Sequence, residues 1–333
     1  MSDVIKLAHG DGGKFTNELI KNLFYRHFRN RKLEEGIDAA TFSVNEGRMA
    51  FTTDSFVVKP IFFYGGDIGK LAVCGSINDL AVSGAKPLYL SASFIIEEGF
   101  PIDKLEAIVR SMGDTCTRAG VNIITGDTKV VEKGSVDGIF INTSGVGIIE
   151  SNYKMKTIES GDQIIVTGTI GEHGTAIAIQ RYDIKVKGNF KSDCNPLNGI
   201  TENIQDLYPY IKIMKDPTRG GLVTILNELA ELAGLGVRLI EEKIPVSREV
   251  KAMNEMLGLD PLYMACEGRM VLVVNKLYAE KVLNRIRSLE GCKDANIIGN
   301  FDQEASLKVY IENYLGGKRI LNTLEGAMLP RIC

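Results

Sequence analysis

The stretch that decides the fold is Gly66-Asp-Ile-Gly-Lys-Leu-Ala-Val-Cys-Gly-Ser-Ile-Asn-Asp-Leu-Ala-Val-Ser-Gly-Ala-Lys86. Small residues recur through it, and between them stand Leu71, Val73, Ile77 and Leu80. Because small side chains let two backbones approach closely, the pattern predicts a helix packed tightly on a sheet.

Strands and a second helix are predicted on both sides of this helix. Residues 42–58 predict two short strands, and residues 88–96 predict another. A helical apolar face then ends before Gly120, and Asp103 with Glu106 resembles a capping pair at its start. Further strands are predicted at 121–125 and 139–148, and a further helix begins near Thr16. The first half is therefore expected to be α+β.

The second half repeats this style after a boundary predicted near 150–162. Helices are predicted at 172–182, 220–233, 247–257 and 277–289. Strands are predicted at 163–167, 236–240, 270–274, 296–300 and 307–311. The polar residues 186–200 indicate a loop, and the chain from Gly316 to Cys333 has no clear periodicity, which is typical of a tail.

Composition excludes several classes of protein. The chain has 333 residues with a net charge of −3, which argues against the basic stripe that binds nucleic acid. No apolar run approaches the roughly 18 residues of a membrane helix, and the start is unlike a signal peptide, so we expect a cytoplasmic protein. Its six cysteines form no CxxC pair, and only Cys333 stands where folding does not ask for a thiol.

Aspartates beside glycines are the main sign of chemistry. Taken singly, each is more often a helix cap or a turn residue. Their number in a glycine-rich chain favours a metal–phosphate site, because Mg²⁺ prefers carboxylate and phosphate oxygens, with Lys129 and Arg219 offsetting phosphate charge. The chain lacks the GxxxxGK[ST] and GxSxG motifs, so the residues alone indicate only a possible nucleotide enzyme. The aspartates are Asp38, Asp54, Asp67, Asp79, Asp127 and Asp216.

Seven motifs, in order along the chain, carry a resemblance to a known family. They are Thr53-Asp-Ser-Phe-Val-Val-Lys-Pro60, Gly65-Gly-Asp-Ile-Gly69, Asn78-Asp-Leu-Ala-Val-Ser-Gly84, Gly126-Asp-Thr-Lys-Val-Val131, Asp216-Pro-Thr-Arg-Gly-Gly-Leu222, Leu259-Asp-Pro-Leu-Tyr263 and Pro330-Arg-Ile-Cys333. Together they closely resemble the HypE family of nickel–iron hydrogenase maturation proteins, from about residue 9 to the last residue.

The resemblance implies a two-domain α+β fold like that of aminoimidazole ribonucleotide synthetase, with a flexible C-terminal tail. It divides the chain into an N-terminal loop and helix (1–34), an ATP-binding and dimerisation domain (35–155), a C-terminal α+β domain (156–312) and the tail (313–333). It implies an ATP-dependent carbamoyl dehydratase that acts as a homodimer. A HypF partner would carbamoylate the terminal cysteine, and the cyano group would pass to iron on a HypC–HypD scaffold.

The same resemblance assigns roles to individual residues. Mg²⁺ would be bound by Asp38, Asp54, Asp79 and Asp216. ATP would also contact Asp67, Asn78, Gly126, Asp127, Thr128, Thr218, Arg219 and Gly220. The catalytic residues would be Cys333 as the carrier, Glu267 as the base near the nitrogen, and Lys129 as a group that stabilises the phosphorylated oxygen or orients the amide.

Some positions stay open between two interpretations. His9 and His173 either contact nucleotide or, as we favour, have a turn or loop role, and His27 is interpreted as structural. The chain departs from the family pattern at Tyr64, where proline is expected, and at Cys266, where asparagine is expected. We expect Cys266 to be a tolerated small neutral residue.

The tail and the rival functions complete the expectations. Glycines at 316, 317 and 326 would serve as hinges, and Arg331 would stabilise the Cys333 thiolate. A related ATP enzyme acting on selenium or thiamine phosphate would not need the Pro-Arg-Ile-Cys end. A scaffold that binds ATP without catalysis is the alternative of another class, and ATP hydrolysis that depends on carbamoylated Cys333 separates the two.

Overall fold

The structure, a computed structural model, describes residues 13–19, 21, 40–44, 47–150, 153–185, 190–303, 308–326, 329 and 331–333. A helix, α1 (Lys14–Leu19), occupies the start of the helix predicted from Thr16. Asp38, His9, His27 and Pro330 lie outside the described residues.

The first sheet has five strands, joined by three antiparallel pairings and one parallel pairing. Its strands are β1 (Ala40–Val44), β2 (Gly47–Phe56), β5 (Lys86–Glu97), β6 (Asn122–Val131) and β7 (Ile139–Ile148), in the order β1-β2-β7-β5-β6. Only β5 and β6 of this sheet run parallel, and β6 lies at one edge of the sheet. Two short strands, β3 (Phe62–Phe63) and β4 (Gly66–Asp67), pair with each other just before the first long helix.

The helix predicted from the opening stretch is α2 (Ile68–Val82), and it is confirmed. It is apolar on every side, and all its residues but Lys70 and Asp79 are buried, which is the pattern of a helix enclosed by protein. It packs on β2, β5 and β7 of the first sheet. Gly75 permits this contact, because a Cβ there would lie 2.7 Å from the Phe56 ring.

Beside α2 lies α3 (Ile102–Ala119), which ends at Gly120 in the left-handed conformation, as predicted. The prediction of an Asp103–Glu106 capping pair is wrong. The residue before the helix is Pro101, and Asp103 lies inside the first turn, where its charge favours the helix dipole instead.

The second sheet has seven strands, in the order β14-β13-β10-β12-β8-β11-β9. These are β8 (Gln163–Val166), β9 (Ile211–Lys215), β10 (Gly236–Ile240), β11 (Val271–Val274), β12 (Asn296–Asp302), β13 (Val309–Glu312) and β14 (Lys318–Ile320). The helices of this half are α4 (Glu172–Arg181), α5 (Asn198–Asn203), α6 (Gly221–Ala233), α7 (Arg248–Leu257) and α8 (Ala279–Arg287).

Three of these elements were not predicted. β9 is buried against β11, α5 starts inside the predicted loop, and β14 pairs with β13 within the predicted tail. The polar segment 190–197 does not run over the surface. It passes between the two halves, with Cys194 and Leu197 buried. Across the described ranges, no helix is long and apolar enough to span a bilayer.

Candidate functional site

The last three residues lie in a cleft between the two halves. Two backbone hydrogen bonds from residues just after β2 hold them: the Val57 N–H donates to the main-chain oxygen of Cys333 at 3.3 Å, and the Lys59 N–H donates to the Arg331 carbonyl at 3.1 Å. Ile332 is buried in the core of the first half. The structure therefore shows the tail docked, with Ile332 buried and Cys333 partly exposed.

Arg331 fastens this docked tail. Its guanidinium donates to the Val57 carbonyl at 2.8 Å and pairs with Asp137 at 2.6 Å, while Arg181 donates to the Arg331 carbonyl at 2.8 Å. The prediction that Arg331 stabilises the thiolate is wrong, since its charge is directed to Asp137. Arg331 also has φ +52, a left-handed conformation that costs roughly 1 kcal/mol in a non-glycine residue.

The Cys333 thiol has an acidic environment. Burial is the main reason that its pKa is raised to about 12, and the carboxylates of Glu267, Asp54 and Asp216 raise it further. The cation that opposes them is Arg219. The docked thiol is therefore protonated at neutral pH, and it lies among residues that the sequence assigned to ATP, metal and proton transfer.

Glu267 is the most constrained carboxylate of the site. It is 1% exposed, and its Oε1 atom has no hydrogen-bond partner among the described residues. Burial raises its pKa well above 4.5, and the nearby Cys194, Asp216 and Asp193 raise it further. A carboxylate with a raised pKa binds a proton more tightly, which suits a general base near neutral pH.

The backbone around Glu267 is held from both halves of the chain. Asp193 Oδ2 accepts the N–H groups of Glu267 at 3.1 Å and Gly268 at 3.0 Å. Asn78, fully buried on α2, donates to the Glu267 carbonyl at 3.0 Å and accepts the Leu197 N–H at 2.9 Å. Asn78 thus joins the two halves, and its amide is engaged by protein.

Two predicted metal ligands lie on the seam between β2 and α2. Thr52 donates to Asp79 Oδ2 at 2.6 Å, and Asp54 lies two residues further along the same strand, facing Gly75. Residues two apart on a strand face the same side, roughly 6.8 Å from each other, so Asp54 and the Thr52 that binds Asp79 both face α2. Asp67 is different: it caps α2, accepting the N–H groups of Gly69 at 2.7 Å and Lys70 at 3.1 Å.

The Asp216 loop brings a third carboxylate and a cation. Asp216 is buried at the end of β9, and the Thr218 N–H donates to its carbonyl at 3.0 Å. The turn into α6 uses two consecutive left-handed glycines, Gly220 and Gly221, with φ +76 and φ +61. A Cβ on Gly221 would lie 2.7 Å from two backbone carbonyl oxygens, so only glycine fits there.

The Gly126–Lys129 motif lies elsewhere in the monomer. It is on the exposed edge strand β6, where Asp127 pairs with Lys129 at 2.9 Å and accepts the Thr128 N–H at 2.9 Å. A Cβ on Gly126 would collide with the neighbouring strand β5 at the Ala92 carbonyl. A single chain therefore does not bring Lys129 to Cys333. The described residues also contain no group of three or more His, Cys, Asp and Glu side chains assembled for a metal.

Sequence reasoning missed Ser192, Asp193 and the direct role of His173. His173 is fully buried at the start of α4, and its ring bridges Ser192 Oγ at 2.9 Å and the Ile332 carbonyl at 2.8 Å. No local motif marks these residues. The only sequence signal is that polar residues 190–195 and a histidine stand beside glycines in an otherwise apolar half.

Cys266 lies in the core of the second half and not in the cleft. It is fully buried, its Sγ accepts the Gly171 N–H at 3.1 Å, and burial raises its pKa well above 9. Its tolerance as a small neutral residue stays a prediction. Tyr64 is exposed, and its carbonyl accepts the Ser192 N–H at 2.7 Å.

Comparison with known proteins covers both halves. The AIR synthase related protein N-terminal domain matches residues 36–149, and the corresponding C-terminal domain matches residues 159–312. The carbamoyl dehydratase HypE of Rhizobium leguminosarum bv. viciae is 46% identical over 99% of this chain and 95% of that protein.

Two solved structures are similar along almost their whole length. The crystal structure of a HypE–HypF complex matches with 47% identity and a TM-score of 0.86, covering 92% of this chain and 99% of that one. The crystal structure of a HypE in complex with ATP matches with 40% identity and a TM-score of 0.83, covering 99% of this chain and 100% of that one.

Proposed function

The chain belongs to the HypE family of hydrogenase maturation proteins, and on this premise we propose that it dehydrates an S-carbamoyl group on its own Cys333 to a thiocyanate, at the expense of ATP. The observation that carries the proposal is the docked Cys333 thiol, which lies beside the buried Glu267 carboxylate in an acidic cleft.

The chemistry explains why ATP is consumed. Removal of water from a thiocarbamate requires the carbonyl oxygen to leave, and oxide is too poor a leaving group. Transfer of the ATP γ-phosphoryl group to that oxygen lets it leave as phosphate. The two N–H protons are also lost, so the products are thiocyanate, ADP and phosphate, with the protons passing to the base and to phosphate.

Glu267 is the base in this scheme. Its raised pKa lets it take a proton from the nitrogen of the carbamoyl group at near-neutral pH. Its Oε1 atom, which no described protein donor satisfies, is available for that N–H. Asp193 and Asn78 hold its backbone from opposite sides, which fixes the position of the carboxylate relative to the tail.

ATP and Mg²⁺ fit the donor set at the cleft. Asp54, Asp79 and Asp216 would supply the hard oxygen ligands that Mg²⁺ prefers, and Asp38, which lies outside the described residues, belongs to the proposed set by its motif alone. Bound Mg²⁺ would neutralise phosphate charge that these carboxylates repel. Arg219 and the glycine turn at Gly220 would receive phosphate oxygens, and Asp67 would act by fixing the start of α2.

We also propose a homodimer formed through the first sheet. The sheet face away from α2 carries exposed Phe51, Tyr89 and Ile95, and its edge strand β6 is exposed along almost its whole length. A second copy would cover this apolar face. The dimer is then the arrangement in which Asp127 and Lys129 approach a nucleotide.

The partners follow from the chemistry of the tail. Residues 331–333 must leave the cleft to receive a carbamoyl group, because docked Cys333 is held by backbone hydrogen bonds and only partly exposed. We propose a HypF-type carbamoyltransferase as that enzyme and a HypC–HypD scaffold as the acceptor of cyanide. The free thiols of this chain suit the reducing cytoplasm, where we place the reaction.

The test is ATP turnover by the chain with and without a carbamoyl group on Cys333. One ADP should form per carbamoyl group, and the uncarbamoylated chain and a Cys333→Ser variant should form none beyond background. ATP hydrolysis at equal rates in all three samples would contradict the proposal and favour a scaffold or a different ATP enzyme.

A further inference from the structure

A buried histidine holds the carbonyl next to the carrier cysteine. His173 is fully buried, and its Nε2 atom lies 2.8 Å from the carbonyl oxygen of Ile332, the residue before Cys333. Its ring packs edge-on against Phe63 at 5.2 Å between centroids. A Cβ on the next residue, Gly174, would lie 3.1 Å from the Ile332 side chain, so the start of α4 is shaped to the tail.

The hydrogen bonds around His173 settle which nitrogen carries the proton. The Cys194 N–H donates to Ser192 Oγ at 3.0 Å, so that oxygen accepts from the backbone and its own hydrogen is free to donate. The Ile332 carbonyl can only accept, so Nε2 carries the ring hydrogen and donates it at 2.8 Å, and the unprotonated Nδ1 accepts from the Ser192 hydroxyl at 2.9 Å. Burial lowers the pKa of His173 to about 4, so the ring is neutral at physiological pH.

The base and the histidine are attached to one carboxylate. Asp193 Oδ1 accepts the backbone N–H of His173 at 2.9 Å, and Asp193 Oδ2 accepts the backbone N–H of Glu267 at 3.1 Å. One side chain therefore links the backbone of the residue that holds the tail to the backbone of the residue that takes the proton. A thiocarbamate on Cys333 would be presented to Glu267 through this connection.

We propose that His173 is a positioning residue for the dehydration step: its Nε2–H holds the Ile332 carbonyl so that the modified Cys333 side chain meets Glu267, and Ser192 keeps the ring in the required tautomer. This inference rests on the proposed dehydratase function. It differs from a purely structural role because it concerns one of two reactions of the same tail. Carbamoylation occurs with the tail out, and dehydration occurs with it docked.

The experiment compares His173→Phe and His173→Gln with the wild-type chain. Phenylalanine fills the space but donates nothing, whereas a glutamine amide can place an N–H close to the position of Nε2. We expect dehydration of the carbamoylated His173→Phe chain to fall by about tenfold or more, since a buried carbonyl loses its donor, and His173→Gln to recover most of the rate. Carbamoylation by a HypF-type enzyme should not fall in either variant.

Thiol labelling gives a second readout that does not depend on activity. Under native conditions the other five cysteines are buried, so a small alkylating reagent reports on Cys333. Labelling of Cys333 should be faster in His173→Phe than in the wild type. Tyr208→Phe is the matched control: it also removes one buried donor to a carbonyl, 3.1 Å from Thr201, but far from the tail. It should leave labelling and dehydration unchanged.

The outcomes separate this inference from the function on which it rests. Wild-type dehydration with an equally fast His173→Phe chain would overturn the role of His173 and leave the function intact. Equal losses of both reactions in His173→Phe, without rescue by glutamine, would also overturn it, since that is general structural damage. A wild-type chain that is carbamoylated but never dehydrated with ATP would refute the function itself.

Discussion

Replacement of Glu267 by glutamine should make the protein more stable and almost inactive. In the folded chain, burial and the neighbouring Cys194, Asp216 and Asp193 raise the pKa of Glu267 well above 4.5. A carboxyl whose pKa is raised on folding favours the folded state while protonated. That contribution is complete below the unfolded pKa and is lost as pH rises towards the folded pKa.

The size of the stability change follows from this linkage. Each unit by which folding raises a pKa corresponds to about 1.4 kcal/mol once the group ionises. Glutamine has the same shape and no charge, so Glu267→Gln should gain on the order of 1 kcal/mol at pH 8. In a chain of 333 residues that is a Tm increase of roughly 1–2 °C. The gain should vanish near pH 4, where the wild-type carboxyl is protonated in both states.

Activity should move in the opposite direction. Loss of a positioned general base costs about 10²- to 10⁴-fold, so dehydration of the carbamoylated chain should fall within that range. Carbamoylation of Cys333 should be unaffected, because Glu267 takes part only when the tail is docked. The assay pairs Tm measured from pH 4 to pH 8 with single-turnover intact-mass analysis.

Both the Tm and the dehydration rate of Glu267→Gln can contradict this interpretation of Glu267. A lower Tm for Glu267→Gln at pH 8 would mean that the carboxylate is stabilised by a partner and is not strained by burial. A variant that dehydrates at the wild-type rate would mean that the proton goes elsewhere. The acidic cleft would then need a different explanation.

Three further predictions test the turn, the dimer and the thiol. Gly221→Ala should lower the free energy of unfolding by about 2 kcal/mol or more. Gly234 has a similar φ of +65 but open space around it, so Gly234→Ala should lower the free energy of unfolding by only about 1 kcal/mol. Denaturant unfolding measures both values. Ile95→Asp should convert a dimer to a monomer in light scattering without lowering Tm, because Ile95 is exposed in the single chain; an unchanged mass would place the interface elsewhere. Alkylation of docked Cys333 should keep rising from pH 9 towards pH 12, because its pKa is about 12, and a plateau near pH 9 would mean an undocked thiol.

The repetitive parts of the fold could be predicted from the sequence. α2 was predicted because its small and apolar residues recur over a long stretch, and the helix ends at Gly120, Gly234 and Gly258 carry left-handed glycines. The motif resemblance then gave the two-domain arrangement and the family. The helix pattern and the glycine helix ends are local, and the motifs occur in a fixed order, so all of them can be seen in the sequence alone.

The docked tail could not be predicted, because no residue in it carries a periodic signal. The Arg331–Asp137 ion pair and the hydrogen bond between His173 and the Ile332 carbonyl each join residues more than 150 positions apart, so they form only when the chain is folded. Segment 190–197 was interpreted as a loop for the same reason. Its polar residues are typical of surface turns, but Ser192 and Asp193 form hydrogen bonds inside the cleft.

The division of labour among the aspartates also needed the structure. Asp67 and Asp79 look alike in sequence, each next to a small or amide residue. Asp67 caps a helix, whereas Asp79 accepts a hydrogen bond from Thr52 on the strand that also carries Asp54. Lys129 shows the limit most clearly, since a motif can propose a catalytic residue but cannot say that it lies on an exposed edge strand.

Intact-mass spectrometry can show whether Cys333 carries a carbamoyl group and whether this chain dehydrates that group. The chain is incubated with carbamoyl phosphate, ATP and a HypF-type carbamoyltransferase, then separated from them and given fresh ATP. We expect the carbamoylated chain to lose the mass of one water, and fragmentation to place the change on Cys333. A chain that stays carbamoylated with ATP, or that is never modified at Cys333 while the transferase is active, would contradict it.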